Sequence, residues 1–311
     1  MLWTLARIHA HANGASTAIY YPHGILHLLP GRPPAVAIAI ATWVGAVATI
    51  AFVLGAFTRG AHVVGLVAIL FVASCEASGK ATWSHQSVPP LLASFALLGA
   101  RVGDALSIDA WRRRRRGARL AVDYAYQAPA RLVLMTVASV FFIAACVKLA
   151  SGGLRGAWIL SDNLRNQLLL RFDWAHVPRT RAADWIVERP WRWHTCALLN
   201  VLCQLAPIGA VFAIDRPRVR VALGLVWVAE ILGLGIVMAY WDVQWLPLAA
   251  VFVDWERTCV APPPAAQRTL EPPTLARRRY TAGFLAFYAL QAFALDQKLD
   301  CLLYTSPSPR D

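Results

Sequence analysis

The 311-residue chain is 58% hydrophobic and only 15% charged, with a mean hydropathy of +0.49. A soluble domain of this size carries about a quarter charged residues, so the composition excludes an ordinary soluble fold. The net charge of +13 does not point to nucleic acid, because arginines collect in the cytoplasmic loops of membrane proteins, and anionic lipid is the expected partner.

Residues 1–34 read as an external N-terminal segment. Apolar runs follow at about 35–57, 61–78, 86–101, 131–150, 193–214, 219–239 and 243–254, and a further run covers 281–300. Several approach the roughly 20 residues that cross a bilayer core. Lipid leaves no water to satisfy an open backbone, so each crossing is a helix. The predicted fold is therefore all-α, a polytopic transmembrane helical bundle with about seven to eight hydrophobic segments. The seventh run is short enough to be tilted or re-entrant.

Residues 35–260 form the main transmembrane block. A proline-rich stretch at 261–280, with PPPAAQ and EPPT, reads as a cytoplasmic connector. Residues 281–300 read as a truncated transmembrane helix. The final CLLYTSPSPRD, 301–311, reads as the translation of a transposon-end sequencing adapter and is set aside as a non-native tail. The natural C-terminus is therefore expected to differ from Asp311.

The loops sort by charge. Arg59 follows the first run, Arg112 to Arg119 the third, Arg216, Arg218 and Arg220 the fifth, and Arg277 to Arg279 the seventh. These are alternate loops, and the positive-inside rule makes them cytoplasmic. The segment 151–192 is then external despite its seven arginines, and its apolar WI and LLL clusters predict packed surface helices.

Only three of the thirty basic residues are lysines: Lys80, Lys148 and Lys298. Lys148 ends the fourth run, in VFFIAACVKLASGG. One reading is that it snorkels, lifting its ammonium to the outer interface. The other is a desolvated lysine whose neutral amine takes a proton, a task closed to an arginine that stays protonated. Glu76, His85 and Lys148 are expected at one membrane depth on the outer face. His85 is either an interfacial histidine bonded to loop carbonyls or a group that bonds or relays for a substrate. Glu76 is a weaker candidate, a charge at a helix end. Glu230 lies mid-run and is expected to face the bundle interior. Trp83, Trp158, Trp193, Trp241 and Trp245 read as an aromatic belt. The cysteines Cys75, Cys146, Cys196, Cys203 and Cys259 show no spacing suited to zinc, so no metal is expected and buried thiols are the default.

Four stretches carry a family likeness. WSHQSVPPLLASFALLGARVGDALSIDAW places a histidine before a helix and ends in an SLDAW-like turn. VFFIAACVKLASGGLRG carries KL and LxG elements, and YYPHG and QWLPLAAVFVDW flank the block. Over roughly residues 20 to 257 the chain resembles the bacterial membrane relatives of vitamin K-dependent gamma-glutamyl carboxylase, the horizontally transferred transmembrane domain family. The resemblance implies a carboxylase-like transmembrane domain over 35–260. It also implies a reduced vitamin K or menaquinone-type quinol as cofactor, with O2 and CO2 as co-substrates. In that family a lysine deprotonates the quinol, which gives an epoxide and a strong base that acts on a glutamate of a peptide. Lys148 matches the base lysine and His85 the hydrogen-bonding histidine. The implied partners are membrane lipid, a lipid-soluble quinone and a glutamate-containing peptide. The implied location is the plasma (inner) membrane, with the site toward the external or periplasmic side.

The departures are specific. By the resemblance, the chain is expected to begin after the family's first helix, Glu230 stands where relatives have a histidine followed by an asparagine, and Gly153 stands where a tryptophan is usual. The luminal peptide-binding domain of the animal enzyme is absent from the sequence, so quinol oxidation is expected to persist without peptide carboxylation. The competing reading is a non-catalytic membrane scaffold or small-molecule carrier.

The charge pattern makes a direct prediction. With a membrane-impermeant thiol reagent added from outside, a cysteine at position 165 labels and one at position 114 does not. The reverse result inverts the topology.

Overall fold

The computed structural model describes residues 20–80, 88–100, 102–103, 107–117, 127–150, 156–174 and 177–255. His85, Trp83, Cys259, Lys298, the arginines 277–279, the connector 261–280, the run 281–300 and the tail 301–311 lie outside them.

Every regular element among the described residues is helical, which agrees with the all-α expectation. Among the described residues five helices are long and apolar enough to cross a membrane: Ala35–Leu54, Thr58–Gly79, Pro129–Ala150, Pro190–Phe212 and Pro217–Met238. The chain is a membrane-embedded, multi-pass helical protein. The third and seventh apolar runs make shorter elements, the helix Val88–Ala96 and the 3-10 segment Val243–Phe252. Both contain proline. Pro89 and Pro90 fit only the first turn of a helix, and Pro247 sits inside the 3-10 segment, where an α-helical turn would lack its amide.

The described residues fall into two compact units that divide within one helix, at Leu132 and Val133. In the first unit, a 3-10 turn at Gly24–Leu28 precedes α1 (Ala35–Leu54), α2 (Thr58–Lys80), α3 (Val88–Ala96) and α4 (Ile108–Arg115). α1 ends at Gly55, whose φ of 67° is left-handed, and the amides of Gly55 and Ala56 return to Phe52 O and Ala51 O in a Schellman-type close. Position 55 must also be glycine for space, since a Cβ there would lie 2.1 Å from Ser107 Cβ. The SIDAW turn does two jobs. Ser107 Oγ caps α4 by accepting from the Ala110 amide at 2.9 Å. Asp109 reaches across to α2, accepting from the Thr58 amide and hydroxyl, both at 2.8 Å, and from the Phe57 amide at 3.2 Å. The Thr58 amide holds the Asp109 carboxyl below the usual carboxylate range.

This contact settles where the third run goes. α2, 23 residues and about 34 Å long, has the α1 turn and α4 at one end. Its other end holds the N-terminal segment, where the Tyr21 amide donates to Ser78 O at 3.1 Å and the His23 amide to Ser78 Oγ at 2.9 Å. Between them His62, one turn into α2, shares a 3.0 Å hydrogen bond with Ser94 of α3. The third run therefore returns along α2, with nine of its described residues α-helical. Arg59 and the arginines of α4 lie at the same end of the unit, as the alternation of loop charge required.

The second unit begins in α5 (Gln127–Ala150) and continues through α6 (Ala157–Leu160), α7 (Asn163–Leu169), a π turn at Leu170–Trp174, α8 (Arg181–Val187), α9 (Pro190–Leu205), α10 (Gly209–Phe212) and α11 (Pro217–Met238). The segment expected to hold packed surface helices does so. Trp158, Leu164, Leu168, Phe172, Ala183 and Ile186 bury themselves against Trp193, Ala197 and Val201 of α9. The same layer clasps the end of α11. Arg171 Nε donates to Met238 O, Arg171 Nη2 to Ala239 O at 3.4 Å, and Thr180 Oγ1 to Val237 O at 2.9 Å. A cation and a hydroxyl here satisfy carbonyls that the helix itself leaves open. The segment Val243–Phe252 lies directly on α11, where Gly224 admits Phe252 so closely that a Cβ would come within 2.6 Å of the Phe252 Cβ.

Two left-handed residues make opposite predictions. Gly55→Ala should destabilise by more than the roughly 1–2 kcal/mol of a left-handed alanine, because Ser107 must also move. Ala239, at φ 52°, already bears that strain, so Ala239→Gly should stabilise by up to about 1 kcal/mol. Thermal unfolding in one detergent measures both.

Candidate functional site

α5 carries Lys148 in its last turn, two residues before the helix ends at Ala150, and one helical face runs Phe141, Ala145, Lys148. Ala145 is fully buried and Phe141 packs edge-on against Trp227 and Trp245, at centroid distances of 5.6 and 5.5 Å. This packing directs the face toward α9 and α11. On α9, Asn200 and Gln204 are four residues apart and so share a face.

Lys148 Nζ donates to Asn200 Oδ1 at 2.5 Å and to Gln204 Oε1 at 2.9 Å. Both carboxamides then pass the contact on. Asn200 Nδ2 donates to Glu230 Oε1, and Gln204 Nε2 donates to the same oxygen at 3.0 Å. Glu230 and Gln204 are 7% and 6% exposed, so this is an interior cluster. The ammonium also lies 4.5 Å from the centroid of the Trp158 ring, a cation–π distance.

The amide orientations follow from chemistry. A lysine ammonium only donates and a carboxylate only accepts, so with both groups charged each carboxamide turns its oxygen to Lys148 and its nitrogen to Glu230, as observed. Two opposite charges are thereby bridged by two dipoles aligned in the same sense. The arrangement can present an amine with a defined free direction. Two N–H bonds are committed to Asn200 and Gln204, and the remaining position on nitrogen holds either a third proton or a lone pair.

The structure groups Lys148 with Glu230, the candidate expected to face the interior. Glu76 is 2% exposed in α2 and belongs to the first unit, and His85 lies outside the described residues. Asn200, Gln204 and Trp158 were not singled out from the sequence as site residues. The signal for the first two was present, as a pair of carboxamides at helical spacing inside an apolar run, where polar groups are rare and seldom idle. The tryptophan belt is revised. Trp158, Trp193 and Trp245 are 8%, 6% and 6% exposed and pack into the second unit, while Trp241 is exposed. Comparison with protein-family models, with curated proteins and with solved structures finds no match for this chain.

The cluster predicts non-additive stability. Lys148→Met and Glu230→Leu should each destabilise, because each strands a buried charge, and the double variant should recover most of the loss. A double-mutant cycle by thermal unfolding should give a coupling of roughly 1–3 kcal/mol. Additive losses would show that the two side chains are energetically separate.

Proposed function

We propose that the chain is an integral membrane enzyme of the vitamin K-dependent carboxylase-like kind, in which Lys148 is the base toward a reduced naphthoquinone. The observation that supports this reading most is the direction of the Lys148 side chain. It turns inward to two carboxamides and a buried carboxylate, where a snorkelling lysine would lift its charge to the interface.

The chemistry of the residues fits an acidic aromatic ligand from the lipid phase. Trp158 offers a flat wall beside the amine. Asn200 and Gln204 hold the two N–H bonds of a neutral amine, so its lone pair is left for an incoming hydroxyl proton. As the new N–H bond forms, the hydroxyl O–H bond breaks and its electron pair stays on oxygen. Glu230, linked through the carboxamides, balances the positive charge that Lys148 gains. The reduced quinol, when bound, supplies the oxidisable ring that reacts with O2, and CO2 and a glutamate-containing peptide are the further partners of a carboxylation. His85 is assigned the hydrogen-bonding role toward the same ligand. The protein is placed in the plasma (inner) membrane, with the Arg112 to Arg116 side in the cytoplasm facing anionic lipid and the Lys148 site toward the outside.

The alternative is a non-catalytic scaffold or small-molecule carrier. It is favoured by the closure of the cluster, since Lys148 and Glu230 each find partners within the protein. In that case the four residues are a clamp between helices.

Oxygen uptake by the protein in nanodiscs, with reduced menaquinone added, separates the two. The enzyme consumes oxygen and Lys148→Arg abolishes it while the protein stays inserted, because arginine keeps the charge and cannot deprotonate. Lys148→Ala is inactive and partly restored by small amines. His85→Ala slows the reaction within the roughly 100- to 10,000-fold range of one positioned acid–base group. Quinol-dependent uptake by Lys148→Arg at the wild-type rate would remove Lys148 as the base.

A further inference from the structure

At the junction of α7 and the first turn of α9, three side chains have hydrogen-bonding capacity that is unused among the described residues. Trp193 is 6% exposed, and its indole Nε1 is buried without a hydrogen-bond partner. The adjacent His194 has a buried and unpartnered Nε2, and its ring stands edge-on to Trp193 with centroids 5.8 Å apart. Arg165 of α7 lays its guanidinium over Trp193, with Cζ 5.7 Å from the ring centroid.

Three of the neighbouring arginines are committed elsewhere. Arg171 serves the carbonyls at the end of α11, Arg179 pairs with Asp173 at 2.5 Å, and Arg192 pairs with Glu188 at 2.7 Å. Among the described residues Arg165 has no carboxylate partner.

A buried donor left unpaired is destabilising, and here two ring nitrogens share the condition beside a cation with no carboxylate among the described residues. The indole and the guanidinium only donate, and the imidazole Nε2 donates in one of its tautomers. A group that satisfies all three must therefore be rich in acceptors and negatively charged. The depth narrows it further. Trp193 is in the opening turn of the span Pro190–Phe212, which sets it at the level of lipid headgroups.

We propose that Arg165, Trp193 and His194 form a binding subsite for a phosphate oxyanion, carried by a phospholipid headgroup or by a free phosphate. The subsite is independent of the chemistry assigned to Lys148. A guanidinium forks onto two phosphate oxygens, and the indole and imidazole N–H groups address the others.

The test uses the full chain in a neutral detergent, because a ligand that binds only the folded state raises its unfolding temperature. The midpoint is measured with phosphatidylglycerol, with a phosphate-free glycolipid of the same chain length, and with inorganic phosphate at constant ionic strength. Phosphatidylglycerol or inorganic phosphate should raise it and the glycolipid should not. A shift with phosphatidylglycerol alone identifies the lipid as the source, and an equal shift with inorganic phosphate identifies the free anion. Arg165→Gln and Trp193→Phe should each remove at least about half of that shift, and Arg181→Gln, an exposed arginine nearby, should leave it intact. If Trp193→Phe does not fold, Arg165→Gln against Arg165→Lys decides, with the lysine variant keeping more of the shift. Equal shifts in the wild type and Arg165→Gln, or no shift with either phosphate, overturn the proposal, since an interfacial water would then suffice for the ring nitrogens.

Discussion

A bilayer interior solvates neither an ammonium nor a carboxylate, and the second unit contains one of each on helices that must pack together. The solution is a relay of dipoles. Lys148 on α5 and Glu230 on α11 are joined through Asn200 and Gln204 of α9, so three helices share one neutral cluster. Such a cluster constrains its helices more tightly than apolar packing does, because a rotation of α9 by one residue, about 100°, would strand two carboxamides and two charges at once.

The supporting layer makes sense in that light. The small helices between α5 and α9 bury an apolar core against α9 and secure the last carbonyls of α11 with Arg171 and Thr180. Glu230 lies two turns from that clasp, so fixing the helix end also limits rotation of the carboxylate. Phe141, Trp227, Trp245 and Phe252 fill the interior on the other side of the cluster and leave little room for it to open in that direction.

Much of the architecture was legible in the chain. Apolar runs of spanning length became helices because lipid allows the backbone little else, and loop charge placed Arg59 and the α4 arginines together. Run length overstated the third segment, which makes a nine-residue helix among the described residues, whereas the seventh, read as short, is a 3-10 segment with Pro247 inside it. Of the candidate site, the lysine was legible because it is rare in an arginine-rich chain, and the glutamate because it interrupts an apolar helix. The carboxamides were visible but unweighted, since only the pairing of α9 with α5 and α11 gives them a task. The tryptophans misled for a related reason. An indole suits an interface and a helical interior equally well, and the sequence pattern does not distinguish them.

The lock on the first helical hairpin has a consequence for biogenesis. The amides at the start of α2 are satisfied by a carboxylate about fifty residues downstream, Asp109, which also seats the arginine-bearing α4 on the α1 turn. While the chain is being synthesised, α1 and α2 therefore leave the ribosome with their turn unfastened. The fastening arrives only with the segment that carries Asp109 and the arginines of α4. Synthesis of the hairpin and closure of its turn are thus separate events in time.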